Sequence, residues 1–188
     1  MEIKWLNPDS PFDRLILVGD IGGTNTNLGL VGYKNGSFTL ILETIWASSA
    51  LSSLAKPLAD TLKIAVENNP NLKPKYCCIS AAGPVSNNRC VMTNLPWDID
   101  GNALATVIGI PVMVINDFVA ISYGIPTLDV EDPAQIHKLA HPDGSFPEPQ
   151  QATKAVIGPG TGMGVSFLAF DGKRHIPASS EGGHISFS

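Results

Sequence analysis

Cysteine is scarce in this sequence, and so is charge. Cys77, Cys78 and Cys90 are the only thiols among 188 residues, an odd number with two of them adjacent. That pattern excludes a disulfide framework and fits no zinc spacing. All three are expected to be small buried or half-buried side chains in a reducing, cytoplasmic setting. Charged residues make up only 15%, with Lys+Arg at 12 against Asp+Glu at 17, a net charge of −5. Without a basic field, nucleic acid is not an expected partner. The opening "MEIKWLNPDSPFDR" holds no apolar h-region, and no run elsewhere reaches membrane length, so neither a secretory leader nor a membrane span is expected. No repeat of solenoid length occurs. What is present is an ordinary globular share of apolar residues, 44%, enough for a sizeable core.

The pattern along the chain alternates strands and helices. Residues 1–13 read as a loose arm, because Pro8 and Pro11 oppose regular structure. Strands are expected at 15–20, 26–32 and 37–46, the last two joined by a tight turn at Asn35-Gly36. From Leu51 the period changes: Leu51, Leu54, Leu58, Leu62 and Val66 share a helical face, with Pro57 confined to the first turn. "YCCISAA" (76–82) and "RCVMT" (89–93) read as further strands. Asp100 is an N-cap candidate for a helix ending at Gly109, and "PVMVIND" (111–117) is a strand leading into a short helix that ends near Pro126. Three prolines and a glycine make 141–151 a loop. This order predicts a mixed α/β protein.

Two glycine-rich strand–turn–strand elements carry the chemistry. "DIGGTNTNLGL" (20–30) places two glycines between apolar runs, which predicts a tight hairpin because glycine takes positive φ freely. "GPGTGMG" (158–164) is the second element. Neither continues as a P-loop or a Rossmann fingerprint. As a pair they could grip phosphates with backbone N–H groups and the Thr24 or Thr161 hydroxyls, leaving Asp20 to hold a hydrated Mg²⁺. "VINDF" puts Asp117 at the carboxyl end of a buried strand, either as a helix N-cap or as a general base beside Asn116. "EGGH" adds Glu181 and His184, which read either as a surface turn or as a loop around a small polyol.

"DIGGTNTNLGL", "NLPW", "VINDF", "GPGTGMG" and "EGGH" together resemble, in order and approximate spacing, the bacterial-type glucokinases of the sugar kinase/actin/heat-shock-ATPase superfamily. The resemblance implies a duplicated α/β, ribonuclease-H-like fold: a small first domain at 14–126, then a linker and the opening strands of an incomplete second domain at 127–188. It implies ATP- and Mg²⁺-dependent phosphorylation of glucose at its 6-hydroxyl, in a cleft between two domains. By position, Asp117 resembles the family's catalytic base, while Asn116, Glu181 and His184, with Asn94 of "TNLPW", resemble its sugar ligands. Asp20, Gly22, Gly23, Thr24 and Asn25 resemble the first phosphate turn, with Asp20 serving the metal through water. Gly160, Thr161 and Gly162 resemble the second.

Three departures accompany the resemblance. Asn27 stands where many relatives carry arginine, and Pro159 replaces a small residue in the second turn. Relatives also continue beyond Ser188 with an adenosine-binding segment, another sugar-contacting glutamate and a helix returning to the first domain. The 188 residues alone are therefore expected to be inactive, and to associate as a homodimer or with a complementing C-terminal chain. A non-catalytic sugar-binding regulator or sensor on the same fold stays open as an alternative. An actin-like or chaperone ATPase would leave Asn116, Glu181 and His184 unexplained.

Overall fold

The computed structural model describes residues 1–7, 11–92, 95–148, 150–159, 163–180 and 182–184, the last of these by its backbone. The chain forms two compact units, Met1–Asp117 and Phe118–Ser188.

The first unit is built on a six-stranded sheet. In chain order its strands are β1 (Glu2–Trp5), β2 (Arg14–Ile21), β3 (Asn25–Lys34), β4 (Ser37–Ala47) and β5 (Tyr76–Ala81), followed by three short strands, β6 (Val85–Ser86), β7 (Arg89–Cys90) and β8 (Ile99–Asp100), and then β9 (Val112–Asn116). The large sheet runs β1-β4-β3-β2-β5-β9, and β6, β7 and β8 form a small antiparallel sheet of their own. β2, β3 and β4 are an antiparallel meander, whereas β5 and β9 join β2 in parallel. Parallel neighbours need crossovers, and the helices α1 (Ala55–Asn68) and α2 (Gly101–Ile108) supply them. The β3–β4 turn is as expected: Asn35 and Gly36 both take positive φ, 52° and 86°, the pair of values a two-residue hairpin needs.

Strand alternation decides where the core lies. Leu17 and Ile21 of β2, Cys77, Ile79 and Ala81 of β5, and Val112 and Val114 of β9 point to one face, where they pack with Leu54, Leu58 and Leu104. Removing such side chains from water contributes about 1.5–3 kcal/mol each. Of the expected face, Leu54 and Leu58 are buried and Leu51 and Leu62 pack against the core, but further along α1 the buried stripe turns to Thr61 and Ala65 rather than Val66. A buried hydrogen-bond chain explains the rotation. Thr61 donates to the Pro57 carbonyl at 2.9 Å, so Thr44 of β4 must donate to Thr61 at 2.7 Å, with the Trp46 indole donating to Thr44 behind it. Thr61 is drawn inward by a polar partner that a hydrophobic count does not see.

α2 matches its expectation at both ends. The Asp100 carboxylate accepts from the Asn102 and Ala103 amides at 3.0 Å, and Gly109 closes the helix in the left-handed region at φ 73°. The N-terminal arm does not match. Residues 2–5 pair with 42–45 as an edge strand, because Ile3 and Trp5 alternate with charged neighbours in register with β4. Of the strand expected over 89–93, only Arg89–Cys90 forms among the described residues 89–92, and Thr93 lies outside them.

The second unit opens with the helix α3 (Asp117–Gly124) at the junction, and its sheet is β10 (Lys154–Pro159), β11 (Met163–Phe170) and β12 (His175–Ser180), antiparallel in that order. The division between the units falls just after Asp117, the first residue of α3. The buried Ser122 and Ser166 hydroxyls join α3 to β11, and Ser166 also donates to the Phe118 carbonyl at 3.3 Å.

Candidate active site

In the first unit, the carboxyl ends of three parallel strands form one rim. Register aligns Asp20 of β2 with Ser80 of β5 and Ile115 of β9; one residue on, Ile21, Ala81 and Asn116 form the next row. Asp20 and Asn116 therefore lie on the edge where parallel α/β sheets place ligands. Asp20 is exposed, and its Oδ1 accepts a hydrogen bond from Ser80 Oγ at 3.3 Å. Directly across the antiparallel pair from Asp20 stands Asn27, so a neutral side chain occupies the position opposite that carboxylate.

At the other end of the rim, Asn116 donates from Nδ2 to the Gly83 carbonyl at 3.1 Å, which fixes the orientation of the amide. Gly83 is confined in turn: a Cβ there would lie 3.1 Å from Cys90 Sγ and from the Val91 carbonyl. Asp117 follows, half-buried, as the first residue of α3. Its carboxylate is near enough to affect Cys90, whose thiol is pushed up first by burial and then by the negative charges of Asp117 and Asp98.

The first glycine-rich element is a hairpin turn between β2 and β3, with Gly22 N–H bonded to the Asn25 carbonyl at 2.9 Å. Gly22 does not use the left-handed region; among the described glycines that belongs to Gly36, Gly109, Gly144 and Gly172. Its constraint is proximity, since a Cβ would meet the Asn25 carbonyl oxygen at 3.3 Å. Gly22, Gly23, Thr24 and Asn25 are all at this turn, with Asp20 two residues before it.

In the second unit, the two ends of "GPGTGMG" lie on paired antiparallel strands. Gly158 of β10 pairs across to Gly164 of β11, and Pro159 pairs with Met163. Both glycines make room for the Phe118 ring. A Cβ at Gly158 would lie 2.6 Å from Phe118 Cζ, and one at Gly164 would overlap the ring outright. The outer glycines of this motif are thus required by packing. Its inner residues Gly160, Thr161 and Gly162 lie outside the described residues, as do Asn94, Glu181 and the His184 side chain. Within "EGGH", Gly183 abuts the Met163 carbonyl so closely that no side chain would fit, which accounts for one glycine of the pair.

Sequence reasoning missed four residues that shape these elements: Ser48, Ser80, Gly83 and Phe118. Ser80 was findable, because a serine two positions after the Cys77-Cys78 pair falls in register with Asp20 once β2 and β5 are paired in parallel. The others depend on chain segments far apart in sequence.

The sequence matches the family model described as Glucokinase over residues 17–188. The chain belongs to the glucokinase family. A Nostoc glucokinase is 38% identical to it over 176 residues, 93% of this chain and 48% of that protein. The chain spans about half the length of the curated relatives it matches. A solved glucokinase from an Antarctic psychrotroph aligns with a TM-score of 0.74 at 30% identity, over 95% of this chain and 53% of its own. The glucokinase of Balamuthia mandrillaris, solved in complex with glucose, shares the fold at 20% identity and a TM-score of 0.66, over 93% of this chain and 50% of that one. With the mixed sheet described above, these place the family's α/β, actin-like ATPase fold on this chain.

Proposed function

We propose that this chain supplies the sugar- and phosphate-gripping part of an ATP-dependent glucose kinase. The observation that carries the reading is the rim of the first sheet, where parallel register sets Asp20, two residues before the glycine-rich turn, one row from Asn116 at the end of β9, with Asp117 following. Asp117 takes the proton from the 6-hydroxyl of glucose as the hydroxyl attacks the terminal phosphorus of ATP and ADP leaves with the bridging oxygen, and Asn116, with its amide held by Gly83, orients the sugar. Asn94, Glu181 and His184 complete the sugar contacts. The Gly22–Asn25 turn, together with Gly160, Thr161 and Gly162, holds the phosphates through backbone N–H groups. Most of the catalysis in such a transfer is positioning and electrostatic stabilisation rather than covalent chemistry.

Asp20 suits Mg²⁺. Among the described residues no three His, Cys, Asp or Glu side chains gather as a closed cage. A single exposed carboxylate braced by Ser80 is the donor set for an ion that keeps its waters and binds substrate phosphates. Bound there, Mg²⁺ would offset the negative charge of the phosphates.

A cytoplasmic setting fits three free cysteines. Among the described residues no helix is long and apolar enough to cross a membrane. Because the chain covers about half of its relatives, the 188 residues alone are expected to lack activity or to need a complementing chain or second copy. Calorimetric titration of the complete protein with glucose and then with Mg-ATP, followed by a coupled assay for ADP, tests the reading. Glucose-dependent ADP release supports it. Glucose binding without turnover would instead favour a non-catalytic sugar-binding regulator.

A further inference from the structure

Ser48 follows β4 and is completely buried, as is Thr26 near the start of β3. Ser48 Oγ donates to the Gly22 carbonyl at 2.8 Å, and the Ser48 amide donates to the Thr24 carbonyl at 2.9 Å. One residue thus holds two carbonyls of the first glycine-rich turn. The Thr26 hydroxyl lies 2.9 Å from Ser48 Oγ. A serine hydroxyl has one proton, and here it is used on Gly22, so Thr26 donates to Ser48 and the chain runs Thr26 to Ser48 to the Gly22 carbonyl.

The effect on the turn follows from peptide geometry. No peptide bond described is cis. In a trans peptide the N–H points opposite to the carbonyl that precedes it. With the carbonyls of Gly22 and Thr24 both directed at Ser48, the N–H groups of Gly23 and Asn25 are directed away from it. Backbone N–H groups turned outward at the concave side of a turn are what binds an anion.

We propose that Ser48 is a positioning residue for phosphate binding, acting through the Gly22–Asn25 turn, with Thr26 fixing the direction of its proton. This rests on the reading of that turn as a phosphate site. Its occupant is the polyphosphate of the nucleotide, not the sugar, so the two substrates separate the role from a general effect on folding. A backbone carbonyl left without its buried donor also turns more freely, which loosens the two N–H groups.

The test compares Ser48→Ala, Thr26→Val and Thr26→Ser in the complete protein. The readouts are KM for ATP, KM for glucose and melting temperature. Ser48→Ala and Thr26→Val are expected to raise KM for ATP about tenfold, the effect of losing one well-made hydrogen bond at a buried site. KM for glucose should stay within about twofold, while Thr26→Ser, which keeps the hydroxyl, should behave as wild type. If Ser48→Ala does not fold, the two Thr26 variants decide the matter. Thr26→Val indistinguishable from Thr26→Ser, or both KM values moving together, overturns the role of Ser48 while leaving the kinase reading intact. A wild-type protein that binds no ATP overturns both.

Discussion

The Phe118 ring occupies the space that a side chain at Gly164 would need. The two residues are far apart in sequence and belong to different motifs, "VINDF" and "GPGTGMG". Gly164→Ala is therefore expected to lower the melting temperature of the complete protein by several degrees, because overpacking a tight contact costs about 1–3 kcal/mol. Gly158→Ala should cost less, since its Cβ would meet the same ring at 2.6 Å and only at the tip. Adding Phe118→Leu to Gly164→Ala should recover part of the loss. A Gly164→Ala protein that melts with wild type would show the ring to be easily displaced.

Asp117→Asn separates catalysis from binding. The amide keeps the shape of the carboxylate but takes no proton, so kcat should fall by about 10²–10⁴ while KM for glucose changes only a few-fold. More than half the wild-type kcat in the variant would remove Asp117 from the role of base. Glu181→Gln and His184→Ala should do the reverse, raising KM for glucose with less effect on kcat, because the sugar contacts proposed for them would be made already in the ground state. Steady-state kinetics on the three variants decides both points.

Burial, with a smaller contribution from its neighbour Cys78, pushes the Cys77 thiol from 9.0 up to about 12. The folded state therefore keeps this proton at pH values where the unfolded chain releases it. The stability linked to Cys77 is complete below about pH 9 and is lost as the pH rises from there toward 12. Urea midpoints of wild type and Cys77→Ala should converge across that window. A gap that stays constant from pH 8 to 11 would contradict it.

Asp100 closes the start of α2 with two hydrogen bonds to backbone amides. Asp100→Ala is expected to cost about 1 kcal/mol, and Asp100→Ser considerably less, measured by chemical unfolding at pH 7. Equal losses in the two variants would place the effect elsewhere than in the cap.

That helix was legible because its signals are local: the capping carboxylate and the terminating glycine lie within ten residues of each other. The β2–β3–β4 meander was legible for the same reason, through Asn35-Gly36. β1 was not, since a four-residue strand is defined by its partner, and Glu2–Trp5 finds that partner some forty positions away. The inward turn of Thr61 was hidden likewise, because it answers to Thr44 on another element. At the candidate site the order of the motifs alone carried the resemblance to the family. What could not be read was the support around them. Ser48 reaches the glycine turn only after β4 has folded back along β3, and the outer glycines of "GPGTGMG" look like part of a phosphate turn until Phe118 is seen against them.

Asn88 bears on a different property. It lies in a tight turn with φ 61°, and its amide accepts from Val114 N–H at 2.8 Å and donates to the Val112 carbonyl at 2.9 Å. Those are outward-facing backbone groups of β9, the last strand on that side of the sheet. A side chain thus imitates the strand that would otherwise come next. At the far end, β1 is only four residues long and carries Glu2 and Lys4, with Lys4 3.4 Å from Glu43 of β4. One border is capped and the other is short and charged, so neighbouring molecules in a crowded cell have little backbone to splice onto. Each border thereby offers a poorer template for edge-to-edge aggregation than a long, unbroken edge strand would.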